Sequence, residues 1–213
     1  MKYYFSLFFL LVCAVPVAAQ EATCGCARDS IAYADCDTQQ LKDHSFLYWQ
    51  YNCDSAWLTL GKINGDRRVI NVVREIPQIT YRIGYNLINE YPGSLFFRTG
   101  CAANGPCNYV VVDKNSGKVL KEFQQEEDAY VIDIYDMNNS RYKYNFIAYF
   151  TVGSDSLFIY QINERRTLAY PFRGKLSYPH PEASFEIVSV KGNVIRLTYR
   201  DRKYREKAFT IQL

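Results

Sequence analysis

The chain has 213 residues, 25 Lys and Arg against 22 Asp and Glu, and an aromatic-rich composition with 19 Tyr and 13 Phe. So small a charge excess gives no electrostatic basis for binding nucleic acid or an anionic membrane surface. The only two histidines are His44 and His180, so the side chain best suited to acid–base chemistry at neutral pH is scarce. The aromatic surplus favours sheet over helix.

The chain begins with the features of a secretory signal peptide. An apolar run extends from Phe5 to Val15, and small residues lead to an expected cleavage site after Ala19. Pro16 ends the run well short of the roughly 20 apolar residues that span a bilayer. We therefore expect residues 1–19 to be removed, and the mature protein to be secreted or periplasmic with no transmembrane segment.

Seven cysteines are present, and Cys13 lies within the expected signal peptide. Val12 precedes it, whereas a lipoprotein signal needs a small residue there, so we expect Cys13 to be discarded rather than lipidated. The even number that remains in an exported chain predicts a disulfide framework. Its members are Cys24, Cys26, Cys36, Cys53, Cys101 and Cys107.

The spacing of these cysteines favours bridges over a metal or redox site. The first four lack the paired C-x2-C units of structural zinc sites, and no C-x-x-C redox motif occurs. An Asn-Gly-Pro turn between Cys101 and Cys107 predicts that these two form a bridge. The first two cysteines of the framework are too close to pair with each other, so each is expected to reach Cys36 or Cys53.

The first regular element after the cysteine-rich segment is predicted to be a short helix within residues 35–52. Asp37 is a candidate N-cap, and Gln40 would complete a capping box. Leu41, Ser45 and Tyr48 would lie on one face of this helix.

Strand signals dominate the remainder of the chain, because turn sequences separate runs of β-branched and aromatic residues. The turns are expected at residues 64–66, 113–117, 153–155, 163–165, 191–193 and 201–203. Residues 109–113 and 157–162 are apolar on both faces, which predicts central strands covered on each side. Residues 195–200 alternate, so Ile195 and Leu197 are expected to face the core.

The strands group into meanders. Segments starting near Ser94, Phe146 and Ser184 share the plan strand, turn, strand, turn, strand, and the segment from Ala56 to Ile83 is a candidate fourth. No linker interrupts the chain. We expect residues 20–213 to form one disulfide-stapled all-β domain, an antiparallel β-sandwich or open barrel built from three-stranded meanders.

One hairpin suggests a different arrangement of the same strands. The segment VVVDKNSGKVLKEF, residues 110–123, resembles a hairpin found in many β-propeller blades, where an Asp-x-x-x-Gly-Lys turn joins two strands. The resemblance implies a small four-bladed β-propeller as the alternative architecture.

Acidic residues cluster before and within a predicted strand. Paired carboxylates are the machinery of glycoside hydrolysis, and loop oxygens bind calcium, but the spacing here does not match an EF-hand loop. A solvated charge run is the preferred interpretation. The residues are Glu126, Glu127, Asp128, Asp133 and Asp136.

A basic tract near the end of the chain invites a nucleic-acid interpretation. Its charged residues alternate with Ile195, Leu197 and Phe209, which predicts the outward face of a terminal hairpin, where charges deter edge-to-edge aggregation. An anionic polysaccharide is the functional alternative. The tract comprises Arg196, Arg200, Arg202, Lys203, Arg205 and Lys207, with Tyr199 and Tyr204.

No nucleophile elbow, phosphate-binding loop or cofactor motif is present. We therefore identify no catalytic, cofactor-binding or metal-binding residues. His44 and His180 lie in polar segments, and Asn138 begins a formal glycosylation sequon.

The leading functional hypothesis is an exported all-β module that binds a protein or glycan of the cell envelope through loops or an aromatic sheet face. The alternative is an extracellular glycoside hydrolase that uses paired carboxylates. A third hypothesis is an accessory part of an envelope assembly with no ligand of its own. No cofactor and no nucleic-acid partner are expected.

Overall fold

The computed structural model describes residues 36–74, 83–101, 107–124, 129–131, 144–151, 154, 156–171, 185–201 and 203–213. Within these ranges it contains fifteen strands and no helix. The strands are β1 (Gln39–Gln40), β2 (Phe46–Tyr51), β3 (Ser55–Gly61), β4 (Arg67–Arg74), β5 (Ile83–Glu90), β6 (Ser94–Cys101), β7 (Cys107–Asp113), β8 (Val119–Phe123), β9 (Ala129–Val131), β10 (Phe146–Thr151), β11 (Ser156–Gln161), β12 (Arg166–Pro171), β13 (Phe185–Lys191), β14 (Val194–Arg200) and β15 (Glu206–Gln212).

These strands form four antiparallel sheets in chain order. Sheet 1 contains β1–β4, sheet 2 contains β5–β8, sheet 3 contains β9–β12 and sheet 4 contains β13–β15. Every neighbouring pair is consecutive in sequence and antiparallel. The predicted all-β, antiparallel class is therefore confirmed.

Each sheet packs face to face on the next one along the chain. Leu58 and Leu60 of sheet 1 meet Phe97 and Val110 of sheet 2 in one buried cluster. The opposite face of sheet 2 meets sheet 3 in a second cluster, and the opposite face of sheet 3 meets sheet 4 in a third. This succession of stacked meanders corresponds to the propeller alternative rather than to a two-layer sandwich or a barrel.

The alternation of buried faces follows from the sequence of the central strands. Val110, Val111 and Val112 of β7 are all at most 1% exposed, because sheet 1 covers one face of the strand and sheet 3 the other. In β14, Ile195 and Leu197 are fully buried against sheet 3. Both expectations from the hydrophobic pattern are confirmed.

The predicted helix within residues 35–52 is wrong. Residues 39–40 and 46–51 are strands instead, joined by a turn in which His44 has a φ of 63°. Residues 46–51 include four aromatic side chains, which pack well on a pleated surface, and all six pair with β3. Tertiary pairing therefore outweighs the capping signal at Asp37.

Sheets 1 to 3 have one strand more than the three-stranded meanders predicted. In sheet 2 the extra strand is β5, which carries polar residues and two register shifts and so lacks a regular alternation. In sheet 3 it is β9, only three residues long. The turn predicted at residues 113–117 is confirmed, with Gly117 at a φ of 69°, a conformation that favours glycine.

The part of the chain that the structure describes contains no helix long and apolar enough to cross a bilayer.

Candidate functional site

One end of the stack gathers turns from all four sheets, and we call it the turn end. The amide of Lys114 donates to the carbonyl of Gly93 (3.1 Å), which joins two turns of sheet 2 there. Asp43 and Lys62 of sheet 1 and Arg165 of sheet 3 contact residues 113–115 of sheet 2, and residues 192–193 of sheet 4 line a pocket together with Glu164 of sheet 3. The turn end comprises residues 42–45, 62–66, 91–93, 114–117, 162–165 and 192–193.

A group of charged residues at the turn end, which we call the ion cluster, consists of Asp43, Glu90, Asp113, Lys114 and Arg165. Lys114 is its centre, with a side chain only 2% exposed. Its Nζ lies 2.9 Å from Asp43 Oδ2 of sheet 1 and 2.6 Å from Glu90 Oε1 of sheet 2. The lysine therefore links two sheets while satisfying two carboxylates.

The electrostatics of Asp43 follow from these contacts. Burial raises the pKa of its carboxyl, but hydrogen bonds from Ser45 and Lys114 outweigh burial and lower that pKa from 3.8 to about 2. Asp43 is consequently ionised at neutral pH. It pairs with Lys114 and is unsuited to act as a general acid.

Asp113 links sheet 2 to sheet 3. Its Oδ1 accepts hydrogen bonds from the Asn115 amide (2.9 Å) and from the amide (2.6 Å) and hydroxyl (2.9 Å) of Ser116, while its Oδ2 pairs with Arg165. Burial raises the pKa of Asp113, but the hydrogen bonds from Ser116 and the charge of Arg165 lower it by a larger amount. The pKa of Asp113 is therefore below its usual value.

The same turn of sheet 2 is also fastened to sheet 1 through exposed contacts. Lys62 Nζ donates to Asn115 Oδ1 at 3.2 Å, and a terminal nitrogen of Arg68 donates to the Ser116 carbonyl at 3.0 Å. The sequence Asp-Lys-Asn-Ser-Gly is thus more than a hairpin turn, because its side chains and carbonyls join three sheets.

A pocket of about 340 Å³ opens at the turn end between sheets 3 and 4. Its residues come from the start of β10, the β11–β12 hairpin, the β13–β14 turn and the end of β15. They are Tyr144, Asn145, Phe146, Gln161, Glu164, Arg166, Gly192, Asn193 and Leu213.

The pocket combines an aromatic surface with fixed polar groups. The rings of Tyr144 and Phe146 stack with centroids 5.7 Å apart and an interplanar angle of 12°. Arg166 Nε–H donates to Gln161 Oε1 at 2.7 Å. Asn145 Oδ1 is buried and has no hydrogen-bond partner in the part of the chain that the structure describes. The arrangement can stack on a flat ligand and hydrogen-bond its edge.

The residues that the sequence singled out are distributed differently. Glu126, Glu127, Asp128, Asp133 and Asp136, together with His180, Asn138, Cys24 and Cys26, lie outside the described residues. His44 is exposed in the β1–β2 turn of sheet 1, whereas the pocket is lined by residues of sheets 3 and 4. No group of three or more potential metal-ligating side chains occurs among the residues described.

The basic tract has the predicted position. Arg196, Arg200 and Lys207 are exposed on the last hairpin, while Ile195 and Leu197 are buried. Arg205 pairs with Asp201 at 2.7 Å in the β14–β15 turn. Arg202 lies outside the described residues, and no described residue of the tract lines the pocket.

Sequence reasoning missed both the pocket and the ion cluster. The pocket is built from four separate segments, and no local motif marks any of them. Lys114 looks like an ordinary turn lysine, and Glu90 like the polar end of a strand. Asp43 and Glu90, the carboxylates that Lys114 contacts, are distinguished in the sequence only by their charge.

Comparisons with known proteins show no family. No protein-family model matches the sequence, and no curated protein matches it. A solved structure of the β-propeller domain of the Trilobed protease from Pyrococcus furiosus is similar with a TM-score of 0.35 and 13% identity, covering 83% of this chain and 54% of that one. The uncharacterized protein lmo1340 from Listeria monocytogenes EGD-e is similar with a TM-score of 0.33 and 8% identity, covering 91% and 58%. The chain thus spans little more than half the length of these two solved chains.

Proposed function

We propose that the protein is an exported, non-catalytic module that binds a glycan of the cell envelope in the pocket between sheets 3 and 4. The observation that carries the proposal is the combination in one pocket of the Tyr144–Phe146 stack with the Gln161–Arg166 pair. Its volume of about 340 Å³ is within the size of small-molecule sites.

The aromatic pair supplies one half of glycan recognition. Sugar rings have an apolar C–H face that packs on flat aromatic side chains, and a tyrosine adds a hydroxyl at the edge of that surface. Phe146 is buried and supports the partly buried Tyr144 ring, which offers the surface for this contact.

The polar groups supply the other half. Arg166 uses its Nε–H on Gln161, and no described residue bonds its terminal nitrogens or the Gln161 amide nitrogen, which can donate to sugar oxygens. Asn145 Oδ1 is a buried acceptor that no described group satisfies. An unpaired buried acceptor costs about 1–3 kcal/mol, so a small turn of this side chain toward a sugar hydroxyl would offset that cost.

A concave pocket favours a glycan over a protein partner, because protein interfaces need a broader and flatter surface. The hydrolase alternative has less support. Glu164 is the single carboxylate side chain among the described pocket residues, and glycoside hydrolysis uses two. Asp43 and Glu90 do approach each other, but Lys114 binds both.

The proposal includes export and disulfide bonding. Support comes from the register of sheet 2, in which Cys101 and Cys107 are directly opposite each other on β6 and β7. Directly opposed residues have Cα atoms about 4.5–5.5 Å apart, within the range that a disulfide spans. The remaining pairs involve Cys36 and Cys53 with the two cysteines of the N-terminal segment.

Arg166→Gln is expected to weaken glycan binding about tenfold, because a hydrogen bond to a charged group is lost. The mature protein is first screened on a panel of envelope glycans, and the best-retained glycan is then titrated by calorimetry. Arg196→Gln is the matched control, since Arg196 is exposed on sheet 4 and does not line the pocket.

Retention of no glycan, or equal loss in both variants, contradicts the pocket as the site. Product release is followed in the same titrations by mass spectrometry. If a glycoside is turned over and not simply retained, the protein is a hydrolase and the proposal of a non-catalytic binding module is wrong.

Replacing Cys101 and Cys107 together with serine is expected to lower the free energy of unfolding by about 2 kcal/mol, because a short loop is no longer closed in the unfolded chain. Urea denaturation of wild type and the double variant measures this. Reductant is expected to weaken the wild type and leave a smaller effect on the variant. Six alkylatable thiols in the untreated mature protein would rule out the framework.

A further inference from the structure

The β11–β12 turn, residues 162–165, lies between the pocket and the ion cluster. Glu164 of this turn lines the pocket, and Gln161 and Arg166 on either side of the turn line it as well. Arg165 makes the opposite contact, with Asp113 of sheet 2. One short turn therefore connects the pocket to a neighbouring sheet.

The backbone of this turn has an unfavourable conformation. Arg165 has a φ of 53°, in the left-handed region that residues with a β-carbon rarely occupy. Such a conformation persists when surrounding contacts hold it. Here Arg165 forms an ion pair with Asp113.

Asp113 is a rigid partner for this ion pair. Its side chain is only 6% exposed, and its Oδ1 is already fixed by hydrogen bonds from Asn115 and Ser116. Oδ2 is therefore presented to Arg165 in one orientation. The Arg165 side chain is half exposed, and this ion pair is its contact with sheet 2.

Movement of the turn changes several pocket groups at once. Gln161 and Arg166 are direct register partners that close the hairpin, and their side chains share a hydrogen bond. The Ile162 amide donates to the Asn145 carbonyl at 3.1 Å, which connects the turn to another pocket residue.

We propose that Arg165 is a positioning residue for the pocket: its ion pair with Asp113 holds the β11–β12 turn in the conformation that presents Glu164 and Arg166 to a bound molecule. The role of the pocket itself rests on the proposed function. The mechanical link between Asp113 and the pocket residues does not, and it is measurable without a glycan.

The test uses the mature protein labelled with ¹⁵N, and observes the Ile162 amide and the Arg166 Nε–H by NMR. In Arg165→Ala, hydrogen exchange of the Ile162 amide is expected to accelerate about three- to tenfold, because a partly buried ion pair no longer opposes local opening. The Arg166 Nε–H resonance is expected to move toward that of a solvent-exposed arginine.

Two further variants separate the ion pair from backbone strain. Arg165→Lys keeps a positive charge near Asp113 and is expected to restore most of the wild-type behaviour. Arg165→Gly adopts a positive φ without strain but has no ion pair, so it is expected to behave like the alanine variant. A glycine variant indistinguishable from wild type would overturn the proposal.

Arg205→Ala is the matched control. It removes the Arg205–Asp201 pair from the β14–β15 turn, where Tyr204 also has a positive φ of 58°, at the other end of sheet 4. The Ile162 and Arg166 signals are expected to stay unchanged. If they shift as much as in Arg165→Ala, the effect is a general loosening and the positioning role is wrong.

Discussion

Lys114→Met is expected to lower the free energy of unfolding by about 3–5 kcal/mol, because it removes the ammonium group of a buried charge cluster and leaves two carboxylates without that partner. Lys114 is 2% exposed and Glu90 is 10% exposed, so removing the ammonium leaves a carboxylate with little access to water. Asp43, at 41% exposed, is affected less. Urea denaturation followed by circular dichroism measures the change.

Two comparisons isolate the cause. Lys62→Met removes a partly exposed lysine that contacts the same turn through a solvent-exposed hydrogen bond to Asn115, and is expected to change stability by less than about 1 kcal/mol. Adding Glu90→Gln to Lys114→Met is expected to recover part of the loss, because the uncompensated charge is gone. A loss of equal size in the two single lysine variants would mean that burial of the Lys114 ion pairs is unimportant.

Phe123→Ala is expected to lower the free energy of unfolding by about 3–5 kcal/mol. Phe123 is fully buried where sheet 2 meets sheet 3, with edge-to-face contacts to Tyr149 (centroids 5.0 Å apart) and Tyr160 (6.1 Å). Truncation removes both contacts and leaves a cavity between two sheets. Thermal and urea denaturation report the loss.

Val119→Ala is the control on the same strand. Val119 is 42% exposed, so its truncation is expected to cost less than about 1 kcal/mol. If Phe123→Ala costs no more than this control, the two sheets do not depend on the buried cluster that joins them.

The sequence was most informative where burial leaves a regular pattern. Strands such as β7 are apolar on both faces because a sheet lies on each side, and β14 alternates because one face is charged and exposed. The turns containing Gly117 and Gly192 were also predictable, since both residues have a positive φ that glycine readily adopts.

The sequence was misleading where pairing outweighs local signals. The capping residues near Asp37 favour a helix, but the aromatic segment of β2 gains more by pairing with β3. The strand β5 is not predicted as a separate element because its pairing contains register shifts, and the strand predicted in the acidic segment is not assigned to a meander because β9 has only three residues. Hydrophobic periodicity carries little information in either case.

The candidate site was not predictable, because it depends on which turns meet. Tyr144 and Asn193 lie almost 50 residues apart in sequence and line one pocket because sheets 3 and 4 stack. Likewise, Asp43 and Lys114 come from different sheets. Stacking of the sheets is a tertiary property, and no spacing within a single meander encodes it.

The succession of buried clusters has a consequence for how the molecule opens. Among the described residues, sheets 2 and 3 contribute to two clusters each, whereas sheets 1 and 4 contribute to one each. Detaching sheet 4 therefore exposes less apolar surface than detaching either inner sheet, so local opening between sheets 3 and 4 costs less than release of an inner sheet. The pocket lies between sheets 3 and 4, so a molecule bound there is expected to stabilise the contact between these sheets and to suppress local unfolding of sheet 4.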